Sequence, residues 1–241
     1  MIDIKKLSEE QKLNRKRILE IRHENHSSHL GSCLSSVDAI DAVYKIKKKN
    51  EKFVLSNGHA GIALYVILEK NRLIKSAVLK KLHIHPDRNP QLGIDVSTGS
   101  LGQGLPIALG IALSNRKDNA YCMISDGECT EGSIWESFRI ASEKKLDNLK
   151  IIVNANGYGG YSKIDIKLLT PRFKAFGCAV FLVNGHRPQE LERMLRKKIK
   201  NKPLVLLAKT EVEQLPFLIS QDAHYKIMNN EDYAIALKEF A

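Results

Sequence analysis

The stretch Ile124–Gly132 (ISDGECTEG), followed after a helical interval by Ile151–Tyr158 (IIVNANGY), decides the fold of this chain. Each stretch begins with apolar residues typical of a buried strand and ends in a turn with a polar side chain, Asp126 in the first and Asn156 in the second. Parallel strands joined by a helix bring their carboxyl ends to the same edge of a sheet, where open α/β sheets bind ligands. We therefore expect Asp126 and Asn156 to lie close together.

These two side chains are oxygen donors suited to a hard cation. Mg²⁺ is usually held by a few protein oxygens together with phosphate oxygens, and Gly127 lets the backbone approach such a ligand closely. A helix expected to begin near Thr130 would point its positive end at the same place. The pattern predicts a diphosphate bound through a divalent cation. An isolated Asp-Gly pair is more typical of a simple turn, so this prediction depends on Asn156 downstream.

The same residues resemble the diphosphate-and-metal motif of thiamine diphosphate enzymes, a Gly-Asp-Gly sequence followed at this interval by Asn. Three further stretches, in the order found in transketolases, narrow the resemblance to that family: Phe53–His59 (FVLSNGH), His85–Asp87 (HPD) and Ser97–Gly104 (STGSLGQG). Ser28–Gly31 (SHLG) precedes them, where the family has Ser-Gly-His-Pro-Gly. The resemblance extends over about residues 23–233.

The resemblance implies roles for individual residues. The implied metal ligands are Asp126, Asn156 and the carbonyl oxygen of Tyr158. The implied cofactor-binding residues are His59, Gly99, Leu101, Asp126, Gly127, Glu131 and Asn156. The implied catalytic residues are His29, His85 and His224. Glu131 also matches a glutamate near the family's subunit interface, although the helix dipole explains a glutamate at a helix start equally well.

The implied function is transfer of a two-carbon ketol unit between sugar phosphates. The implied cofactors are thiamine diphosphate and Mg²⁺, which Ca²⁺ or Mn²⁺ can replace. Histidines suit a sugar whose hydroxyl groups lose and regain protons, because imidazole titrates near neutral pH. We interpret the remaining histidines as ordinary surface or core residues: His23, His26, His83 and His186.

The length of 241 residues bounds the domain organisation. At about 100 to 200 residues per domain, we expect a single diphosphate-binding domain over 1–241, with a helical lead-in at about 1–24. Because a full transketolase also has an aminopyrimidine-binding domain and a third domain, the chain is expected to be the N-terminal subunit of a split enzyme. Its expected partner is a C-terminal subunit with the aminopyrimidine-binding domain, in an assembly with two copies of each chain.

Hydrophobic periodicity and turn residues predict alternating helices and strands, and hence an α/β fold with a doubly wound, mostly parallel sheet and helices on both faces. The expected strands are 53–55, 121–124, 151–153, 179–183 and 204–208. The expected helices include 8–23, 37–44, 61–68, 105–113, 135–145 and 188–200. A polar loop is expected over 25–36, and 83–104 is expected to be a long functional loop.

Composition excludes several classes of protein. The chain is 43% hydrophobic and 27% charged, which is typical of a globular domain, and no apolar run approaches the roughly 18 residues that would indicate a membrane span. Met1–Lys6 lacks the apolar region of a signal peptide. Four cysteines without paired spacing fit a reducing compartment. We therefore expect a cytoplasmic protein without a membrane partner.

The net charge of +11 permits two interpretations. A positive field would steer anionic ligands such as sugar phosphates towards the protein, whereas a general bias towards lysine would place the same charge on solvated faces. No aromatic residues interleave with the basic runs at 45–49 and 196–200. Nucleic acid is therefore not an expected partner.

The motifs depart from the family pattern at three positions. Ser125 replaces the first glycine of Gly-Asp-Gly, Leu30 replaces a proline, and Tyr225 replaces a glycine. The sequence leaves open whether these changes are harmless, alter the substrate or weaken cofactor binding. It also leaves open a 1-deoxyxylulose-5-phosphate synthase-like or 2-oxo acid dehydrogenase-like subunit, or a non-catalytic interaction subunit, although Phe53–His59 and Ser97–Gly104 favour transketolase over the first two.

Overall fold

The computed structural model describes residues 4–79, 81–160 and 162–241, and within them the core is a five-stranded sheet. The strands are β1 (Lys52–Leu55), β2 (Ala120–Ser125), β3 (Leu149–Ala155), β4 (Ala179–Asn184) and β5 (Leu204–Lys209). Their order across the sheet is β1-β2-β3-β5-β4, and every neighbouring pair is parallel. The carboxyl ends of all five strands therefore lie along one edge.

Helices cover both faces of this sheet. They are α1 (Glu9–Glu24), α2 (Leu30–Ile46), α3 (Gly61–Lys70), α4 (Ser76–Leu79), α5 (Gly104–Ser114), α6 (Gly132–Glu143), α7 (Ile166–Ala175), α8 (Pro188–Leu195) and α9 (Asn230–Glu239). Tyr121 and Met123 of β2 pack with α1 to α4, α8 and α9. Cys122 and Ile124 face the other side, with α5, α6 and α7. The expected doubly wound α/β fold is confirmed.

The strand register fixes which turns become neighbours. Ser125, the last residue of β2, lies opposite Asn154 of β3. Leu55, the last residue of β1, lies opposite Met123. The turns that follow β1, β2 and β3 therefore emerge side by side, and they carry three of the stretches that the sequence analysis selected.

The predicted loop over 25–36 is wrong, because α2 begins at Leu30 and the loop covers only its first residues. The serines there form a buried helix face: Ser35 and Ser36 both accept hydrogen bonds from the Asn154 amide, at 2.9 and 3.1 Å. Leu30, Cys33 and other apolar residues at helical spacing are fully buried. Small polar residues favour loops only where no neighbouring element supplies their hydrogen-bond partners.

Other element bounds differ from the predictions by a few residues. The helix expected near Thr130 begins at Gly132, after a 3₁₀ turn over Gly127–Thr130. The helix predicted over 188–200 ends at Leu195, so most of the basic run beyond it is irregular. The described part of the lead-in includes α1, which starts with a capping box between Ser8 and Gln11. Residues 1–3 lie outside the described residues, and the single domain over 1–241 stays a prediction.

None of the helices in the described ranges combines the length and the apolar character that a membrane span requires.

Candidate active site

Asp126 is a buried carboxylate at the end of β2. Its Oδ1 accepts a hydrogen bond from the Gly127 N–H (3.0 Å), and its Oδ2 accepts one from the Gly157 N–H (2.6 Å). Burial raises the pKa of this carboxyl to about 7, although those backbone donors act in the opposite direction. No cationic side chain of the described residues takes part in this balance. A buried carboxylate in this state is suited to a bound cation, which would stabilise its ionised form.

Asn156 and Tyr158 place further oxygen atoms beside Asp126. The Asn156 side-chain oxygen accepts a hydrogen bond from the Tyr158 N–H (2.9 Å), and the Asn156 backbone N–H donates to Asp126. A carboxylate, an amide and a carbonyl oxygen form a donor set that fits Mg²⁺. In the described part of the chain, no group of three or more His, Cys, Asp or Glu side chains is arranged to hold a metal ion. A cation here would therefore need oxygens from its ligand as well.

The turn after Asp126 depends on a close backbone approach. A Cβ atom at Gly127 would lie 3.0 Å from the Cα of Gly159, so a side chain at 127 would force the two loops apart. Ser125 does not obstruct this turn: its hydroxyl accepts a hydrogen bond from the Glu128 N–H (3.2 Å) and is turned into the protein. The departure from glycine at 125 is thus accommodated by a hydrogen bond within the turn.

Glu128, to which the sequence analysis gave no role, joins three segments of the site. Its Oε1 accepts hydrogen bonds from the Ser56 hydroxyl (2.5 Å) and the Gly102 N–H (2.9 Å), and its Oε2 accepts one from the Ser125 N–H (2.9 Å). Burial raises the pKa of this fully buried carboxyl. Glu128 therefore fixes the loop with Gly99 and Leu101 onto the ends of β1 and β2. Its position directly after Asp-Gly was the only sequence signal for this role.

Three histidines that are far apart in the sequence meet at the same edge. The ring centroids are 5.3 Å apart for His29 and His59, 4.6 Å for His29 and His224, and 5.2 Å for His59 and His224. Burial lowers the pKa of all three: that of His29 falls to about 4, that of His59 lies well below its ordinary value, and that of His224 is also reduced. All three rings are therefore neutral at neutral pH.

His85 lies beside this histidine cluster but is exposed. A Cβ atom at Gly99 would lie 3.2 Å from two atoms of the His85 ring, so the glycine allows the ring to pack directly on the backbone. The charge of a protonated His85 contributes to the lowered pKa values of His29 and His59. Glu131 is at the start of α6, and a Cβ at Gly102 would lie 2.8 Å from its Cβ. The structure thus brings the predicted loop residues to the histidines and to α6.

Arg22 is a second residue that sequence reasoning missed. Its fully buried guanidinium donates hydrogen bonds to the Ser27 hydroxyl (3.1 Å), the Cys33 sulfur (3.0 Å) and the His59 carbonyl oxygen (3.0 Å). None of these partners is a carboxylate, and the arginine charge further lowers the pKa of His29 and His59. Nothing in the sequence distinguishes Arg22 from the other basic residues of α1.

Several buried polar atoms around the histidine cluster have no partner within the described residues. They are Arg22 Nε, His29 Nδ1, Asn57 Oδ1 and Thr98 Oγ1. Asn57 and Thr98 are neighbours, since a Cβ at the intervening Gly58 would lie 2.7 Å from the Thr98 carbonyl carbon. Buried polar groups are nearly always hydrogen-bonded. These atoms therefore indicate that this edge of the sheet is built to receive a polar ligand.

Comparisons with known proteins agree with this geometry. The family model described as transketolase, thiamine diphosphate binding domain, matches residues 8–225. The transketolase-like protein 2 of Mus musculus is 39% identical over 178 residues, which cover 67% of this chain and 28% of that protein. One of the subunits of the apulose-4-phosphate transketolase of Phocaeicola vulgatus is 31% identical over 255 aligned residues, covering 94% of this chain and 90% of that subunit.

A solved transketolase has the same fold. The crystal structure from Campylobacter jejuni superimposes with a TM-score of 0.84 at 27% identity, covering 96% of this chain and 42% of that one. The chain thus spans less than half of the solved enzyme but most of the Phocaeicola vulgatus subunit.

Proposed function

Because the chain belongs to the transketolase family, matching its thiamine diphosphate-binding domain over residues 8–225, we propose that it is the diphosphate-binding subunit of a two-chain transketolase. The observation that carries this proposal is the position of Asp126 and Asn156 at the ends of adjacent parallel strands, joined through Gly157. The length match to a protein named as a transketolase subunit supports the two-chain organisation.

In this proposal the turns at the carboxyl edge hold the cofactor. Asp126, Asn156 and the Tyr158 carbonyl oxygen bind a divalent cation, Mg²⁺ or in its place Ca²⁺ or Mn²⁺. The residues that would contact thiamine diphosphate itself are His59, Gly99, Leu101, Gly127 and Glu131. When bound, thiamine diphosphate supplies the carbon centre that stabilises the negative charge left by carbon–carbon cleavage.

The proposed reaction requires proton transfers that the histidines can perform. The C2–C3 bond of a ketose phosphate breaks, and the released two-carbon ketol unit forms a new bond to the carbonyl carbon of an aldose. The donor's C3 hydroxyl loses its proton as the C3 carbonyl forms, and the acceptor's carbonyl oxygen gains one. We assign these transfers to His29, His85 and His224. Because their burial keeps His29 and His224 neutral at pH 7, both can accept a proton from a sugar hydroxyl.

The partner in this proposal is a C-terminal transketolase subunit that carries the aminopyrimidine-binding domain, with two copies of each chain in the assembly. Sugar phosphates are the substrates. This chain alone is expected to lack ketol transfer activity, and a mixture of the two chains is expected to have it.

Titration calorimetry with thiamine diphosphate, with and without Mg²⁺, tests the proposal on the mixed chains. We expect metal-dependent binding that Asp126→Asn weakens by about 100-fold, because the amide lacks the charge and one of the acceptor oxygens. Asp147→Asn, at an exposed position, is the matched control and should bind normally. Absence of metal-dependent binding in the mixture would instead indicate a non-catalytic interaction subunit.

A further inference from the structure

Tyr225 stands at the rim of the histidine cluster. It follows the 3₁₀ turn Ser220–His224, and its side chain is 53% exposed. Its ring centroid lies 5.1 Å from that of His224 and 6.2 Å from that of His29. The described part of the chain therefore leaves much of the ring uncovered, next to two histidines that we assign to the sugar.

The ring is held in this place by its own hydroxyl group. The Tyr225 hydroxyl donates a hydrogen bond to the Gly160 carbonyl oxygen at 2.8 Å. A second tether runs in parallel, since the Gln221 amide donates to the Gly159 carbonyl oxygen. The two bonds join the turn that carries His224 to the loop that carries Asn156 and Tyr158, which fixes the orientation of the ring relative to both halves of the site.

Because the hydroxyl is committed to Gly160, only the face and edge of the ring are presented to a ligand at the histidines. An aromatic ring held in one orientation selects by shape: a ligand that fits beside it is retained, and a longer one must displace it and break the tether. The turn itself resists displacement, because the His29 N–H donates to the His224 carbonyl oxygen at 3.0 Å.

We propose that Tyr225 is a specificity-determining residue that limits the length of the ketose phosphate reaching His29 and His224. This inference rests on the proposed function, since it concerns the same site and the same reaction. Tyr225 thereby favours shorter donors, such as five-carbon ketose phosphates, over seven-carbon ones.

Steady-state kinetics of the two-chain enzyme with five-, six- and seven-carbon ketose phosphates tests this inference. Tyr225→Ala should raise kcat/KM for the seven-carbon donor relative to the five-carbon donor by about 10- to 100-fold, the range expected when a steric restriction on part of a substrate is removed. Tyr225→Phe keeps the ring and loses only the tether, so its ratio should lie between those of the wild type and Tyr225→Ala. Ile227→Ala, at an exposed position on the same segment, is the control and should leave the ratio unchanged.

The outcomes separate this inference from the function on which it rests. If the wild-type pair transfers ketol units but Tyr225→Ala leaves the ratio of donors unchanged, the inference is wrong and the function stands. If Tyr225→Ala weakens association of the two chains in sedimentation velocity at an unchanged donor ratio, the ring belongs to the subunit interface, and the inference is again wrong. A wild-type pair that uses no ketose phosphate overturns the function and this inference together.

Discussion

Individual side chains at the carboxyl edge have their protonation states set by burial. Desolvation disfavours the charged form of any group, so it lowers the pKa of His29 and raises that of Asp126. Both groups are therefore biased to be neutral in the protein alone. A bound cation would reverse this bias for Asp126 and leave the histidines available as neutral proton acceptors, which is the combination that the proposed reaction requires.

The lowered pKa of His29 predicts a pH-dependent stability. The folded-state value of about 4 lies below the ordinary value of 6.5, so unfolding takes up a proton between these limits and stability falls as the pH is lowered from 6.5 to 4. In His29→Gln this loss should be smaller by about 1–2 kcal/mol, a figure reduced because the ring is partly exposed. Chemical denaturation at pH 7 and pH 4.5 measures the difference.

The exposed His26→Gln variant is the control for this measurement. It should lose stability on acidification as the wild type does. An identical loss in His29→Gln would mean that His29 is charged in the folded protein.

At the scale of elements, the site is assembled from turns that follow three neighbouring strands. Glu128 lies in the turn after β2 and accepts hydrogen bonds from the turn after β1 and from the loop 97–104. That loop is irregular until α5 begins at Gly104. One buried carboxylate therefore holds a segment that the resemblance associates with the cofactor.

Glu128→Gln should release this loop, because an amide can accept with only one of its two terminal atoms. We expect the free energy of unfolding to fall by about 1–3 kcal/mol, the cost of leaving a buried donor without a partner. Hydrogen–deuterium exchange of peptides covering 97–104 should become faster in the variant.

Glu136→Gln provides the control, since Glu136 is exposed and its ion pair is with Arg139 of its own helix. Unchanged exchange over 97–104 in Glu128→Gln would show that the loop is held by other contacts.

At the scale of the whole molecule, one buried ionic cluster connects α1 and α2 to the turns after β4 and β5. Arg15 donates two hydrogen bonds to Asp38, at 3.0 and 2.6 Å, and one to Gln214 at 2.9 Å. The His186 ring also contacts Asp38, at 2.8 Å, and accepts from the Glu211 N–H. Although burial opposes ionisation of Asp38, the charge of Arg15 and the hydrogen bond with His186 keep its pKa below the ordinary value.

Asp38→Asn should destabilise the protein by about 3–5 kcal/mol, because it leaves the fully buried Arg15 without a counter-charge. Urea denaturation at pH 7 measures the loss. The double variant Arg15→Met/Asp38→Leu removes both charges and should recover much of the stability. Failure of the double variant to recover would show that the hydrogen bonds to Gln214 and His186, rather than the charge pair, carry the stability.

The fold class could be predicted from the sequence because the periodicity of buried residues is local. Apolar strands such as those ending at Ser125 and Ala155 alternate with helices, and this pattern permits few arrangements other than a parallel sheet covered on both faces. The closeness of Asp126 and Asn156 followed for the same reason. The start of α2 was misjudged because its serines are buried only by contact with Asn154.

Sequence by itself therefore determined the parallel sheet, the family and the turns that form the site. Tertiary structure alone decided that His29, His59 and His224 share one cluster, that Glu128 joins three segments, and that Tyr225 borders the cluster. These contacts connect residues separated by long stretches of chain. Their geometry depends on how helices pack against the sheet and on which polar groups lose their water, and neither is encoded in the spacing of residues along the sequence.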